Sequence, residues 1–165
     1  MAKVEFKEFD EYQKKLEELF KDTESLIKDA VYDGGKVVAD EIKAGLKAIP
    51  IDNRTGTPEN PLDGVTRQQK ADLINGFGLA PMENKGGYIN TKAGMDGYGS
   101  IPTKKYPNGL PNAMLMRSLE SGTSFRKKHP VFRKAVNKAR KRAVKAMEEK
   151  IDKAIKNRME EQNGN

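Results

Sequence analysis

The sequence predicts an α+β fold, with long N- and C-terminal helices packed on a small antiparallel β-sheet. Three observations lead there. Apolar residues recur at three- and four-residue steps near both ends of the chain. Only one stretch, 77–95, alternates with period two. Loops rich in glycine and proline separate that stretch from the helical regions. The 165 residues suit one domain, 1–165. With 36% hydrophobic and 33% charged residues, the chain is expected to bury one modest core and to expose long helix faces.

In chain order, Phe6, Phe9, Tyr12, Leu16, Leu19 and Phe20 read as a first amphipathic helix. Asp22 or Thr23 is expected to cap a second, by accepting an orphan backbone N–H. Its stripe is Ile27, Val31, Gly34, Val38, Ile42, Gly45 and Ile49, and Pro50 ends it. Such a helix is roughly 40 Å long at about 1.5 Å per residue. Gly34 and Gly35 cost it about 1 kcal/mol each relative to alanine, so their place on or beside the stripe predicts close approach of another backbone, with a kink as the alternative. Residues 50–66 form a long loop rich in Pro, Gly, Asp and Asn, of the kind that is functional or mobile. Thr66 and Gln69 make a capping box for a short helix through Ile74, which Gly76 stops.

Strands are expected at Phe77–Met82 and Tyr88–Met95, joined by a turn over Glu83–Gly87. In the second, Ile89, Thr91, Ala93 and Met95 form the more apolar face, and Pro81 places the first strand at an edge or a bulge. A lone hairpin is marginal in water, so this one must pack on the helices or gain strands from a neighbour. A second long loop, 96–111, leads to a short helix from Pro111 to Glu120, stopped by Gly122. Pro130 is expected in the first turn of the last helix. The stripe there is Phe132, Val136, Ala139, Ala143, Met147, Ile151, Ile155 and Met159, and residues 162–165 are expected to fray.

The net charge of +7 is unevenly spread. Residues 1–50 carry nine basic against twelve acidic side chains, whereas residues 121–165 carry fourteen against five. Between Ser121 and Met147 there is no acid. Clustered there are Arg126, Lys127, Lys128, Arg133, Lys134, Lys138, Arg140, Lys141, Arg142 and Lys145. An acidic front and basic rear suit nucleic acid, an acidic protein surface or head-to-tail assembly, as well as plain solvation of a helix face. Arg126, Lys127, Lys128, Arg133, Lys134, Lys138, Arg140, Lys141 and Arg142 are therefore the candidate electrostatic contact, with a DNA channel or an acidic partner as its object. The two long loops are the candidate assembly surfaces.

Catalytic chemistry finds little support. The chain has no cysteine, which excludes disulfides, thiolate catalysis and thiolate metal sites. His129 is the only histidine; Ser121, Thr123 and Ser124 are near it in sequence, but an exposed or capping role explains it better than a general base does. Asp52, Asp63 and Asp96 match no calcium-loop spacing, and the glycines at 94–99 lack the phosphate-loop pattern. No enzyme activity, no cofactor and no metal are expected. Neither a membrane span nor an export signal is recognised, so a soluble protein without membrane partners is expected.

The stretch Leu119-Glu120-Ser121-Gly122-Thr123-Ser124 followed by Pro130-Val131-Phe132-Arg133-Lys134-Ala135-Val136 carries more information. An E-x-G-T element, a basic spacer, a P-hydrophobic-x-R-x-A element and a long Lys/Glu-rich helix resemble one phage family. It comprises the small head–tail joining, or tail-component, proteins of long-tailed double-stranded DNA phages, named for gene product ten of phage Hong Kong ninety-seven. Gln69-Lys70-Ala71-Asp72-Leu73, Tyr88–Gly94 and Tyr106-Pro107-Asn108-Gly109 also resemble the family's order of parts. The chain departs from the pattern at Val131, where an aromatic residue often stands, and at Lys134, where a second proline is common. The residues that carry the resemblance are Glu120, Gly122, Thr123, Pro130, Arg133 and Ala135.

The resemblance implies a structural, non-catalytic role in the neck or tail of the virion, with assembly in the host cytoplasm. Its implied partners are further copies of itself in a ring homo-oligomer and the neighbouring head-closure and tail proteins, with double-stranded DNA in the channel as another candidate. Two alternatives stand beside head–tail joining. One is a tail terminator of the same class. The other is a basic nucleic-acid-binding protein that uses the C-terminal helix.

Overall fold

A computed structural model describes residues 22–163. The expected helix around Phe6–Phe20 lies outside the described residues. The elements in order are α1 (Thr23–Ala48), α2 (Arg67–Asn75), β1 (Phe77–Leu79), β2 (Glu83–Lys85), β3 (Tyr88–Asn90), β4 (Ala93–Met95), α3 (Asn112–Ser121) and α4 (Phe132–Asn163). The fold is α+β, with long helices at both ends of the described chain and a small antiparallel β region between them.

The helices α1 and α4 run antiparallel, as the pairs Asp33–Lys150 and Glu41–Lys138 show. Small residues let them approach closely. A Cβ at Gly34 would fall 2.7 Å from Met147 Cγ, and one at Gly45 would fall 2.7 Å from Val131 Cγ1. On α4 the buried positions are Ala135, Ala139 and Ala143. The glycines thus meet side chains rather than another backbone. Gly34 faces α4, while a Cβ on Gly35 would meet Thr91 Cγ2 of the hairpin at 3.1 Å. Two adjacent glycines therefore serve two different neighbours.

The stripes expected from sequence are partly kept: Gly34, Ile42 and Ile49 of the α1 stripe and Ala139 and Ala143 of the α4 stripe are buried. Ala30, Gly34, Ala39, Ile42 and Leu46 are the buried positions of α1, while Ile27 is exposed. Val136, Ile155 and Met159, expected on the α4 stripe, are exposed. Ala30, Ala39 and Leu46 of α1 and Ala135 of α4 join the buried set although the expected stripes omit them. Helix α4 continues to Asn163, so Gln162 and Asn163, expected to fray, are helical.

The core gathers at one end of this helix pair. Ile42, Leu46 and Ile49 meet Val65, Leu73 of α2, Phe77 of β1, Leu115 and Leu119 of α3, and Val131. Phe77 and Phe132 pack edge to face at 5.8 Å between ring centroids.

Local chemistry explains most boundaries. Pro50 follows the end of α1 as expected. At the other end, Asp22 occupies the N-cap position at φ 57° but its side chain makes no capping bond. The capping box of α2 is complete, with Thr66 Oγ1 accepting from Gln69 N and Gln69 Oε1 accepting from Thr66 N, both at 3.2 Å. Thr66→Ala should lower the unfolding free energy by about 1 kcal/mol, read by urea denaturation.

The hairpin is longer and more interrupted than the sequence suggests. β1 pairs with β4 and β2 with β3, both antiparallel, in two nested ladders. Glu83–Lys85, expected as turn, is strand β2. The reversal needs only Gly86 (φ 61°) and Gly87 (φ 88°), the two positive-φ positions of a primed two-residue turn. Pro81, without an N–H to donate, lies in the break between the ladders, just after the bond from Ala80 N to Lys92 O. The expected inner face of Ile89, Thr91, Ala93 and Met95 is half-buried, and Tyr88 points to solvent at 72% exposure.

Candidate interaction surface

The basic connector 121–131 joins α3 to α4, and its backbone is fixed at both ends. Gly122 ends α3 with a left-handed φ of 74°. Thr123 and Arg126 exchange backbone hydrogen bonds of 2.9 and 3.3 Å, and Thr123 Oγ1 accepts from Phe125 N. At the far end, Glu120 Oε1 accepts from Phe132 N at 2.5 Å, a carboxylate placed on the first free N–H of α4. Pro130, expected in the first turn of that helix, lies before it, and α4 begins at Phe132. Glu120, distant in sequence, supplies the cap that a local residue would otherwise provide. Glu120, Gly122, Thr123, Pro130 and Ala135 thus lie in or beside one α3–α4 joint, and Ala135 is buried against the core. Arg133 is exposed on the first turn of α4.

The 50–66 loop is tied to this connector. Leu62 N donates to Phe125 O and Lys127 N donates to Leu62 O, both at 2.8 Å. Asp52 organises the loop from within. Its carboxylate accepts from Arg54 Nε (2.9 Å) and Nη2 (2.6 Å), and from the backbone N–H groups of Arg54 (3.1 Å) and Asp63 (2.8 Å). Arg54 first, and the Asp63 N–H next, hold this carboxyl far below the usual carboxylate range. A depressed carboxyl stabilises the fold above its unfolded value of about 3.9, and that contribution fades as pH falls through the folded value. Asp52→Asn should therefore melt below the parent protein near pH 7, with the gap closing below about pH 4. Circular dichroism melts across that range would show it; a gap constant with pH would refute it.

His129 has its place in the same clasp. Its Nε2 lies 2.9 Å from Asp63 Oδ1, and its backbone N–H donates to Leu119 O at 2.7 Å. It is half-buried and engaged with a loop carboxylate, not with the nearby hydroxyls of Ser121, Thr123 or Ser124.

The candidate electrostatic residues divide into two groups. Arg126 turns inward and donates to the Gly64 carbonyl, and burial lowers its pKa from the ordinary value. Lys127 reaches Asp63 at 3.7 Å. Lys138 and Arg142 grip Glu41 on α1 at 2.6 and 2.5 Å, and hold its carboxyl below the usual range. These four largely serve the protein itself. Lys128, Arg133, Lys134, Arg140 and Lys141 are exposed and have no ion pair among the described residues.

On α4, Arg133 and Arg140 stand two turns apart on one line, with Lys134 and Lys141 beside them. Val136 and Val144 border this face with 44% and 43% exposure. The outward surface is thus basic with apolar contacts set into it. Sequence reasoning identified the charge but missed the valines, and it missed Glu41 and Asp63 as internal counter-charges. Those pairs span 64 to 101 residues of chain, so no local pattern announces them.

Of the two candidate assembly loops, 50–66 is braced by the Asp52 and Leu62 contacts. The 96–111 loop closes on itself through Gly99 N to Leu110 O at 2.8 Å and on α2 through Ser100 N to Asp72 Oδ2 at 3.0 Å. Among the described residues no group of three acidic or histidine side chains would hold a metal ion, and no helix is long and apolar enough to cross a membrane. No family model, curated protein or solved structure matches the chain.

Proposed function

We propose that this chain is a structural virion protein of a long-tailed double-stranded DNA phage, acting at the head–tail junction as a ring-forming neck or tail-completion component. The observation that carries the reading is the α3–α4 joint. The residues through which the sequence resembles the joining family do local structural work there: Glu120 caps, Gly122 and Thr123 turn, and Ala135 packs. The motif is then the signature of a scaffold and asks for no catalysis.

The outward face of α4 supports an assembly partner over bare DNA. Protein interfaces combine apolar contact with complementary charge, and Val136 and Val144 lie among Arg133, Arg140 and Lys141. The object of that face is an acidic surface on a neighbouring subunit or ring. A protein built to hold DNA would bind duplex near 0.15 M salt and lose affinity steeply as salt rises. This one is expected to show little duplex binding there by fluorescence anisotropy.

The deciding experiment is electron microscopy of lysates from the parent phage with this gene disrupted. Full heads beside unattached tails of normal length are expected. Overlong tails would instead assign the tail-terminator role, and intact infectious virions would overturn both readings.

A further inference from the structure

We propose that the chain's own N-terminal segment, residues 6–20, docks as a helix on the far end of the α1–α4 pair, where it covers an apolar row formed by Ile151, Ile155 and Met159 of α4 beside Ile27 of α1. The inference stands apart from the assembly reading and does not rest on it.

Away from the core, the helix pair leaves large apolar side chains in water. Ile155 and Met159 are 42% and 51% exposed, Ile27 is 37% exposed, and Ile151 is half-buried. Ile151, Ile155 and Met159 follow four-residue steps, so they stand in one row along α4. The antiparallel pairing of Asp33 with Lys150 sets the level of Ile27. Ile27 lies six residues before Asp33, level with the residue six after Lys150, which is the neighbour of Ile155. A single exposed apolar residue needs no explanation, but a contiguous group marks a contact site.

The chain itself supplies the complement. Phe6, Phe9, Tyr12, Leu16, Leu19 and Phe20 recur at three- and four-residue steps, and a helix of this length is marginal in water unless its apolar stripe is buried. The place where the segment joins α1 directs it to the row. By the same register Asp22 stands level with Glu161, within one turn of Met159. Asp22 has φ 57° and ψ 24°, and its side chain makes no capping bond to α1. An N-cap residue ordinarily has an extended backbone. The left-handed conformation is instead the one that closes a preceding helix and turns the chain. A segment reversed at Asp22 runs back beside the pair, parallel to α4. Phe20, Leu16 and Tyr12 then repeat the four-residue spacing of Met159, Ile155 and Ile151. The fifteen residues from Phe6 to Phe20 span about 21 Å as a helix. From Met159 they reach the level of Lys145 and stop short of Arg133, Arg140 and Lys141. Six acidic and five basic side chains leave residues 1–21 nearly neutral, so the basic α4 does not repel them. The short tether favours this chain's own segment over that of a second copy, because it holds the segment at a high effective concentration beside the row.

The test is disulfide trapping in the full-length chain, which has no cysteine of its own. Leu16→Cys is combined with Ile155→Cys in one variant and with Lys153→Cys in a second. Both α4 positions are exposed, so the reduced variants should keep the parent's circular dichroism. Positions 153 and 155 are almost equally far from the tether but lie on opposite sides of α4. Under mild oxidation at micromolar concentration, the pair at 16 and 155 is expected to close within single chains about tenfold faster than the pair at 16 and 153. Non-reducing electrophoresis separates closed monomers, open monomers and dimers. Equal rates would show a tethered segment that does not dock, and no closure in either variant would place the segment elsewhere; both overturn the proposal. Disulfide-linked dimers in place of closed monomers would also overturn it, by giving the row to the segment of a second copy.

Discussion

Reversing Arg133, Arg140 and Lys141 together to glutamate should leave the fold intact and cut head–tail joining by on the order of a hundredfold or more, counted as infective particles from a complemented phage. All three side chains are exposed and have no ion pair among the described residues, so their loss removes no internal contact. The substitution takes the formal net charge from +7 to +1, two units per reversal. Like charges brought together across an interface cost several kcal/mol, and the proposed ring would repeat that penalty at every subunit. The same reversal at Lys138 and Arg142 would confound the experiment, because those residues hold Glu41 and their loss disturbs the fold itself. The thermal midpoint of the triple variant should match the parent within a degree or two. Joining at the parental level would refute α4 as the contact face.

Leu46→Ala should lower the unfolding free energy by about 2–5 kcal/mol. Leu46 is 0% exposed and belongs to the core where α1, α2, α3 and the start of α4 converge. Its neighbours in that cluster include Ile42, Val65, Leu73 and Leu119, each also 0% exposed, so little can move in to fill the void. Much of α4 presents alanine to α1, and the protein has few large side chains with which to compensate. Loss of several kcal/mol is a large share of the roughly 5–15 kcal/mol typical of a domain. Urea denaturation would measure it, and a loss below about 1 kcal/mol would show that the core collapses around the deletion.

What the sequence revealed was whatever a few neighbouring residues decide between them. Pro50 stops α1, Thr66 and Gln69 cap α2, and Gly86-Gly87 turns the hairpin, all by chemistry contained within four residues. What stayed hidden was set across long chain separations. Glu120 caps α4 from the preceding helix, so the helix begins at Phe132 and leaves the Pro130 expected in its first turn outside it. The seam between α1 and α4 follows the small residues on both helices, and neither stripe alone shows which side its partner will take. The basic cluster is uniform in sequence, yet Gly64, Asp63 and Glu41 engage four of its members, and of these only Arg126 leaves the exposed surface.

The seam between α1 and α4 has a mechanical consequence. Met147 seats against Gly34 and Val131 against Gly45, so the two glycines act as notches that oppose axial sliding. Glu41, joined at once to Lys138 and Arg142 one turn apart, and Asp33, joined to Lys150, favour the same registry. A slip of one helical turn would change by about 5.4 Å how far the distal end of α4 projects from the core. Two glycine notches and two carboxylates thus set the reach of a two-helix lever, a length that any ring assembled from this protein would inherit.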